Sequence, residues 1–548
     1  MYVDTSIARS NGKTYTRHLL RTSFREQGKV KHKTIANLSD CSDQEVAAIK
    51  LALKHKKDLS VLGSAKDIRT VLGKRFGAAW ALTVLAERLH LREVLGNDRD
   101  GKLALLQIIA RTLGQGSRLS AVRLAKSHAL CEVLGLAKLD EDDLYENLAW
   151  LSGEQERIEK KLFALRFPET KPTLFLYDVT SSYLEGTDNE LADWGYNRDG
   201  KRGKMQIVVG LLVGPDGLPV AVRVFRGNTN DTKTVSEQVS ILASNFDVHE
   251  VTLVGDRGMI KGPQIDALPD GFRYITAITK PQIAKMLSAG ILQMDLFDKV
   301  VCEVQQGSVR YVLRRNPVRA EQMAQSRLAR AEVIASFAKT RTEHLEKHPR
   351  AQPDAALKKV IHKIERLKLG KWLTATLQDR TVRVEHDGDA LAEAALLDGC
   401  YVIKSDVPEV SASAQQLHDR YCDLESVERS FRTMKTTHLE MRPIFVRKEA
   451  STKGHVFVVM LALLLQRELE KCCRNLDLTV DEVIDELSAI PLQTLYIADK
   501  PPIHRIPEPS EIGQKILELA GVLMPTILPV RTASVHTKKK LHSERKVA

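Results

Sequence analysis

Three carboxylates set far apart along the chain, Asp178, Asp256 and Glu428, have the residue type and the local settings to hold divalent metal. Asp178 lies in Thr173-Leu-Phe-Leu-Tyr-Asp178-Val-Thr-Ser-Ser182, where an apolar, aromatic run reads as a buried strand carrying an acid near its end. Asp256 closes a second brief apolar run, Val251-Thr-Leu-Val-Gly255, and is followed by Arg257-Gly258, a turn. In open α/β sheets ligands collect at the carboxyl ends of strands, so both aspartates are well placed for chemistry. Glu428 lies in Leu417 to Lys435, LHDRYCDLESVERSFRTMK, which lacks Gly and Pro and reads as one helix with an apolar face at Val427, Phe431 and Met434. At about 3.6 residues per turn, Tyr421, Glu428, Arg432 and Lys435 project along one stripe beside that face. On an arbitrary helix an acid among cations is most often a solvated i,i+4 pair. Two strand-end aspartates shift the balance towards a site.

The Asp, Asp, Glu set, and Tyr421-x2-Leu424-x3-Glu428-x6-Lys435 in particular, resembles the DDE transposases of bacterial insertion sequences, in the group named insertion sequence four. The signature of that group is Tyr-x2-Arg-x3-Glu-x6-Lys. Leu424 stands where its arginine usually does, and Arg420, Arg429 or Arg432 could take over the contact. Further likeness lies in Gly195-Tyr-Asn-Arg-Asp-Gly-Lys, Gln206-Ile-Val-Val-Gly-Leu, Phe225-Arg-Gly-Asn-Thr-Asn-Asp231 and the stretch from Phe431-Arg-Thr-Met-Lys to Arg442-Pro. Together these motifs cover residues 173 to 262 and 399 to 447.

The resemblance implies a metal-dependent enzyme that cleaves the ends of its element and transfers their 3'-hydroxyls into target DNA. Such chemistry must neutralise a nonbridging oxygen, activate a water or 3'-hydroxyl, and stabilise an alkoxide leaving group. Two divalent ions about 3.5 to 4 Å apart supply all three effects, and Mg2+ or Mn2+ prefers carboxylate ligands. By the same resemblance Asp178 bridges the two ions, Asp256 and Glu428 each hold one, and Tyr421 and Lys435 grip the DNA phosphates, with Arg432 on the same stripe as a further candidate phosphate contact. Two readings from other classes stand beside it: a nuclease on the same fold that joins no ends, and an inactive DNA-binding derivative, which would be expected to have lost one of the acids.

At 548 residues the chain exceeds one ordinary domain. Residues 1–60 alternate around Asn11-Gly12-Lys13 and predict a small β-hairpin and helix unit, either a contact for the element's ends or a packing module. Residues 70–170 read as helical and as a DNA-binding domain, with Arg111, Arg118, Arg123 and Lys126 clustered around the turn Gly114-Gln-Gly-Ser117. Residues 171–280 and 399–475 are expected to form an α/β, ribonuclease H-like catalytic core with a mixed sheet, which the resemblance also implies. Its strands fall near 173–178, 205–213, 218–226, 251–255 and 273–279. An inserted subdomain at 281–398 occupies most of the gap before Glu428, with Arg310, Arg314 and Arg315 as candidates to line a DNA channel. Residues 476–548 end in a basic tail. Trp194 and Trp372 are read as core residues in preference to base-stacking ones.

A formal charge of +12 favours a polyanionic partner, here double-stranded DNA. The most apolar stretch, Val456 to Leu465, is about half of what a membrane crossing needs and reads as a buried helix. The seven cysteines, without Cys-x-x-Cys spacing, suit reduced thiols, and with no signal-like N-terminus they predict a cytoplasmic, nucleoid-associated protein. Joining two element ends suggests a homodimer on DNA.

Overall fold

The computed structural model describes residues 1–10, 12–57, 68–114, 116–298, 301–436, 439–442, 446–497, 502–528, 531 and 533–537. The N-terminal unit is an antiparallel sheet of β1 (Tyr2–Ser10), β2 (Lys13–Glu26) and β3 (Lys29–Asn37), with α1 (Asp43–Lys54) against it. The third strand, KVKHKTIAN, is almost wholly exposed, so no alternation of apolar residues announced it. A Ser42/Glu45 capping box starts α1.

After β4 (Ile68–Arg75) comes a helical region: α2 (Gly77–Arg88), α3 (Leu91–Leu95), α4 (Arg99–Leu113), α5 (Arg118–Ser127), α6 (Leu130–Leu134), the short β5 (Lys138–Leu139) and the long α7 (Glu141–Arg166). Helices α2 and α3 are parted at His90, whose backbone turns left-handed with φ of 59°.

The core sheet is mixed and eight-stranded. It is built from β6 (Leu174–Tyr183), β7 (Gln206–Val213), β8 (Pro219–Arg226), β9 (Val251–Gly255) and β10 (Phe272–Ala277), then β11 (Cys302–Gln306), β12 (Val309–Arg315) and, much later, β15 (Cys400–Ser405). Their order is β11-β12-β15-β10-β9-β6-β7-β8. The contacts β10 to β9 and β9 to β6 are parallel, and the remaining neighbours are antiparallel. Two strands of the stretch expected as an insertion therefore belong to the main sheet. Every residue of β7 is buried, as its sequence QIVVGLLV requires of a central strand.

Between these strands lie α8 (Asp231–Ser240), which widens into a single π turn over Ile241–Asn245, α9 (Gly262–Asp266) and α10 (Lys280–Ser288). Residues 317–395 form α11 (Pro317–Lys347), α12 (Pro353–Arg366), the hairpin β13 (Leu373–Gln378) and β14 (Thr381–His386), and α13 (Gly388–Ala395), around a core of their own that includes Trp372. The chain then returns through α14 (Ala414–Cys422), α15 (Leu424–Thr436) and α16 (Glu449–Cys472), and ends in α17 (Val480–Ser488), β16 (Pro491–Ile497), β17 (Ile503–Arg505), α18 (Glu511–Leu519), β18 (Ile527–Leu528) and β19 (Ser534–Val535). Strand β16 pairs with β4, which ties the far end of the chain to the start of the helical region.

Strand alternation sorts the core into two layers. Phe175, Tyr177 and Val179 of β6 pack with Val235 of α8 and Phe163 of α7, whereas Leu176 joins the cluster formed by α15 and α16. Helix α16 is buried without a break from Gly454 to Gln466, as its apolar sequence predicted. It approaches α7 so closely that a Cβ on Gly454 would lie 1.9 Å from the Leu148 carbonyl oxygen.

Candidate active site

The register of two parallel strands builds the centre of the site. Tyr177 of β6 pairs with Gly255 of β9, and the next residue of each strand is an aspartate. Asp178 and Asp256 thus each follow the last paired position of neighbouring strands, where β9 stops and β6 continues. Asp178 was expected near the end of its strand; it sits in the middle, because β6 runs on to Tyr183 by pairing with β7. The strand that ends at the site is β9.

Asp178 has the same facing as Leu176, towards α15, whose Val427, Phe431 and Met434 are buried beneath it. Burial pushes the Asp178 carboxyl up to about 7. The Val179 amide, donating to Oδ1 at 2.8 Å, works against this, and the charge of Asp256 works with it. Arg198 draws the value down and Glu428 raises it further. The three acids named from the sequence are therefore within electrostatic reach of one another, with Asp256 and Glu428 exposed. They are gathered rather than closed into a cage: among the described residues no three His, Cys, Asp or Glu side chains converge on one metal position. Mutual repulsion of carboxylates explains an open arrangement.

The single helix expected from Leu417 to Lys435 is two, parted at Asp423. Tyr421 therefore lies in the last turn of α14 instead of sharing a stripe with Glu428, Arg432 and Lys435 on α15. It still reaches the site: burial, and after it the charge of Asp256, raises its phenol well above the usual range. Lys435 is held by Asp199, with Nζ to Oδ1 at 2.7 Å. Arg432 is exposed on α15. Leu424 packs its side chain partly into the core, and Arg429 lies 3.7 Å from Glu425 one helical turn away.

Arg198 and Asp231, which sequence reasoning left without a role, meet at the same place, Nη2 to Oδ2 at 2.5 Å. The signal for them was present only as motif likeness in the stretches starting at Gly195 and Phe225. Other expectations are corrected by burial. Arg111 and Arg118 are buried at the turn between α4 and α5, and Arg118 reaches inwards to Gln107 and His455, so neither is a surface for DNA. Arg310 is buried against Glu303 at 2.6 Å and against the Val407 and Ala412 carbonyls, Arg314 turns to His418, and Arg315 to Asp398. Burial removes Arg310 from any channel, whereas Arg314 is half-buried and Arg315 stays exposed. Trp194, expected in a core, is 59% exposed, whereas Trp372 is buried. His438, three residues beyond Lys435, lies outside the described residues.

Residues 169–465, more than half of the chain, match the family described as transposase DDE domain. The chain belongs to the DDE transposases. Residues 3–61 match a second family, the N-terminal domain of IS1634 family transposases. No curated protein matches the chain. The transposase is thus an insertion-sequence enzyme that acts on DNA, and DDE transposases generally depend on a divalent metal. Among its described residues no helix is long and apolar enough to cross a membrane.

Proposed function

We propose that Asp178, Asp256 and Glu428 are the catalytic acids of this transposase, that they hold two Mg2+ or Mn2+ ions, and that one site both frees the element's ends and joins their 3'-hydroxyls to target DNA. The observation that carries the reading is the β6 and β9 register, which sets Asp178 beside Asp256, with Glu428 close enough to raise the Asp178 carboxyl. The donor set suits the ions: all three ligands are hard carboxylate oxygens, and their mutual repulsion leaves an unmet demand for positive charge. Asp178 would bridge, with Asp256 and Glu428 each holding one ion. When bound, the ions supply charge neutralisation at the phosphate, activation of the attacking hydroxyl and stabilisation of the departing one.

The protein's own residues orient the strand. Tyr421, whose phenol feels the charge of Asp256, can donate to a phosphate flanking the scissile bond. Lys435 exchanges Asp199 for a phosphate when DNA enters, since both partners offer an anionic oxygen at one position. Arg432 adds an exposed cation on the same helix.

We further read the core as ribonuclease H-like, supported by the antiparallel β6-β7-β8 meander followed by parallel β9 and β10. The Tyr421, Glu428 and Lys435 spacing supports the insertion-sequence-four group, with Leu424 as a packing residue in the arginine position. We place the enzyme in the cytoplasm, as a homodimer on DNA. The test combines full-length protein, Mg2+ and a labelled element-end duplex with Asp178→Ala, Asp256→Ala and Glu428→Ala. Each variant is expected to lose cleavage and strand transfer while still binding the duplex. Retained cleavage in any one of them overturns the assignment of that acid.

A further inference from the structure

Two loops with no assigned role meet through backbone packing that leaves no room for side chains. A Cβ on Gly195 would lie 2.2 Å from the Gly227 carbonyl oxygen, and one on Gly227 would lie 2.6 Å from that of Asp193 and 1.9 Å from that of Gln206. Only glycine permits this approach. Each glycine is followed, three or four residues on, by a charged residue: Arg198 after Gly195 and Asp231 after Gly227. The Arg198 amide donates to Ser181 Oγ of β6 at 2.8 Å, which pins the loop three residues beyond Asp178. Its guanidinium then meets Asp231 Oδ2 at 2.5 Å. That same oxygen faces the site, since a Cβ on Gly258 would be 3.9 Å from it and 3.8 Å from Asp256 Oδ2.

A guanidinium held by Asp231 within electrostatic reach of Asp178 is poorly explained by stability. The pair is a quarter exposed on each side, with side-chain accessibilities of 25% and 28%, and ion pairs with this much contact with water contribute little. Position is the better account. Asp231 opens α8, and its carboxylate fixes Arg198 in one orientation at the rim where a phosphate must lie to reach Asp178 and Asp256 together.

We propose that Arg198 is a further catalytic residue, the cation that meets a nonbridging oxygen of the scissile phosphate, and that Asp231 is its positioning residue. This rests on the reading of Asp178 and Asp256 as the metal-binding acids. A planar guanidinium supplies two parallel N–H donors, so one edge can stay on Asp231 while the other takes the phosphate. Charge developing on that oxygen during displacement strengthens the contact, which places the benefit in the transition state and in kcat.

Cleavage of a labelled element-end duplex by full-length protein in Mg2+ tests this with Arg198→Gln, Arg198→Lys, Asp231→Asn and the control Asp178→Asn. Arg198→Gln is expected to lower kcat about a hundredfold or more with KM changed less than about threefold, as for loss of one preorganised donor. Arg198→Lys should recover about a tenth of the lost activity, keeping the charge without the fork. Asp231→Asn should lower kcat about tenfold by releasing Arg198, and should add little to Arg198→Gln in the double variant. Mn2+ affinity, measured by calorimetry without DNA, should fall steeply in Asp178→Asn and stay within about threefold of wild type, or tighten, in Arg198→Gln. A loss confined to KM, kcat within about threefold of wild type, or fully additive effects of the two substitutions would overturn the proposal. Unimpaired Mn2+ binding and cleavage in Asp178→Asn would instead remove the reading of the acids on which it rests.

Discussion

Asp178→Asn should make the metal-free transposase more stable while abolishing its activity. In the folded protein the Asp178 carboxyl is pushed up to about 7, against an ordinary value of 3.8, by burial and by the charges of Asp256 and Glu428. A carboxyl raised on folding favours the fold fully below its unfolded value. That contribution is lost between about pH 4 and pH 7, at about 1.4 kcal/mol per pH unit for one proton. At pH 8 the folded, metal-free enzyme therefore carries a penalty of about 4 kcal/mol. Asparagine carries no charge, and its amide oxygen can still accept from the Val179 amide, so the substitution removes the penalty and keeps the bond. At about 2 °C per kcal/mol for a large domain, the melting point of the core in EDTA should rise by roughly 8 °C at pH 8 and by progressively less down to pH 5. Adding Mg2+ should reverse the order, because only wild type gains from it. Thermal scans of both proteins between pH 5 and pH 8.5, with and without Mg2+, read this directly. A wild-type melting point that never falls behind the variant as pH rises would refute the electrostatic account of the site.

Asp199→Asn should free Lys435 and strengthen binding of element-end DNA, whereas Lys435→Ala should weaken it and flatten the dependence of log K on log salt by about one unit; equal slopes in wild type and Lys435→Ala would show that this lysine meets no phosphate. Arg310→Ala should cost about 3 to 5 kcal/mol by leaving Glu303 and two carbonyls unpaired, with DNA affinity per folded molecule unchanged; urea titration and a filter-binding assay separate the two effects, and weakened DNA affinity at full stability would restore the channel reading. Gly454→Ala should cost about 3 kcal/mol, because its Cβ would meet the Leu148 carbonyl oxygen at 1.9 Å and force α16 away from α7; an unchanged melting point would mean that the two helices separate freely.

The acids were legible because each sits in a local pattern that short-range chemistry imposes. An apolar run closed by Asp256 reads as a strand end, and the 417–435 stretch reads as helical. The buried α16 was equally plain, since ten successive residues from Val456 to Leu465 carry no charge. Strand β3 was not, because its exposed polar side chains leave no periodicity, and its place depends on the hydrogen bonds β2 offers. The division at Asp423 was not legible either, for the sequence there contains no breaker.

Residue types and spacing thus singled out the acids proposed to carry the chemistry and the kinds of element that bear them. What only the folded molecule decided is how distant segments lie against each other. The β6 and β9 register sets Asp178 beside Asp256, two glycine contacts bring Arg198 to Asp231, and burial takes Arg111, Arg118 and Arg310 away from DNA. The physical reason is that local sequence fixes backbone preference and the periodicity of apolar residues, both interactions of near neighbours. Pairing register, close backbone approach and the desolvation of a charge each depend on residues tens to hundreds of positions away, and no local pattern records them.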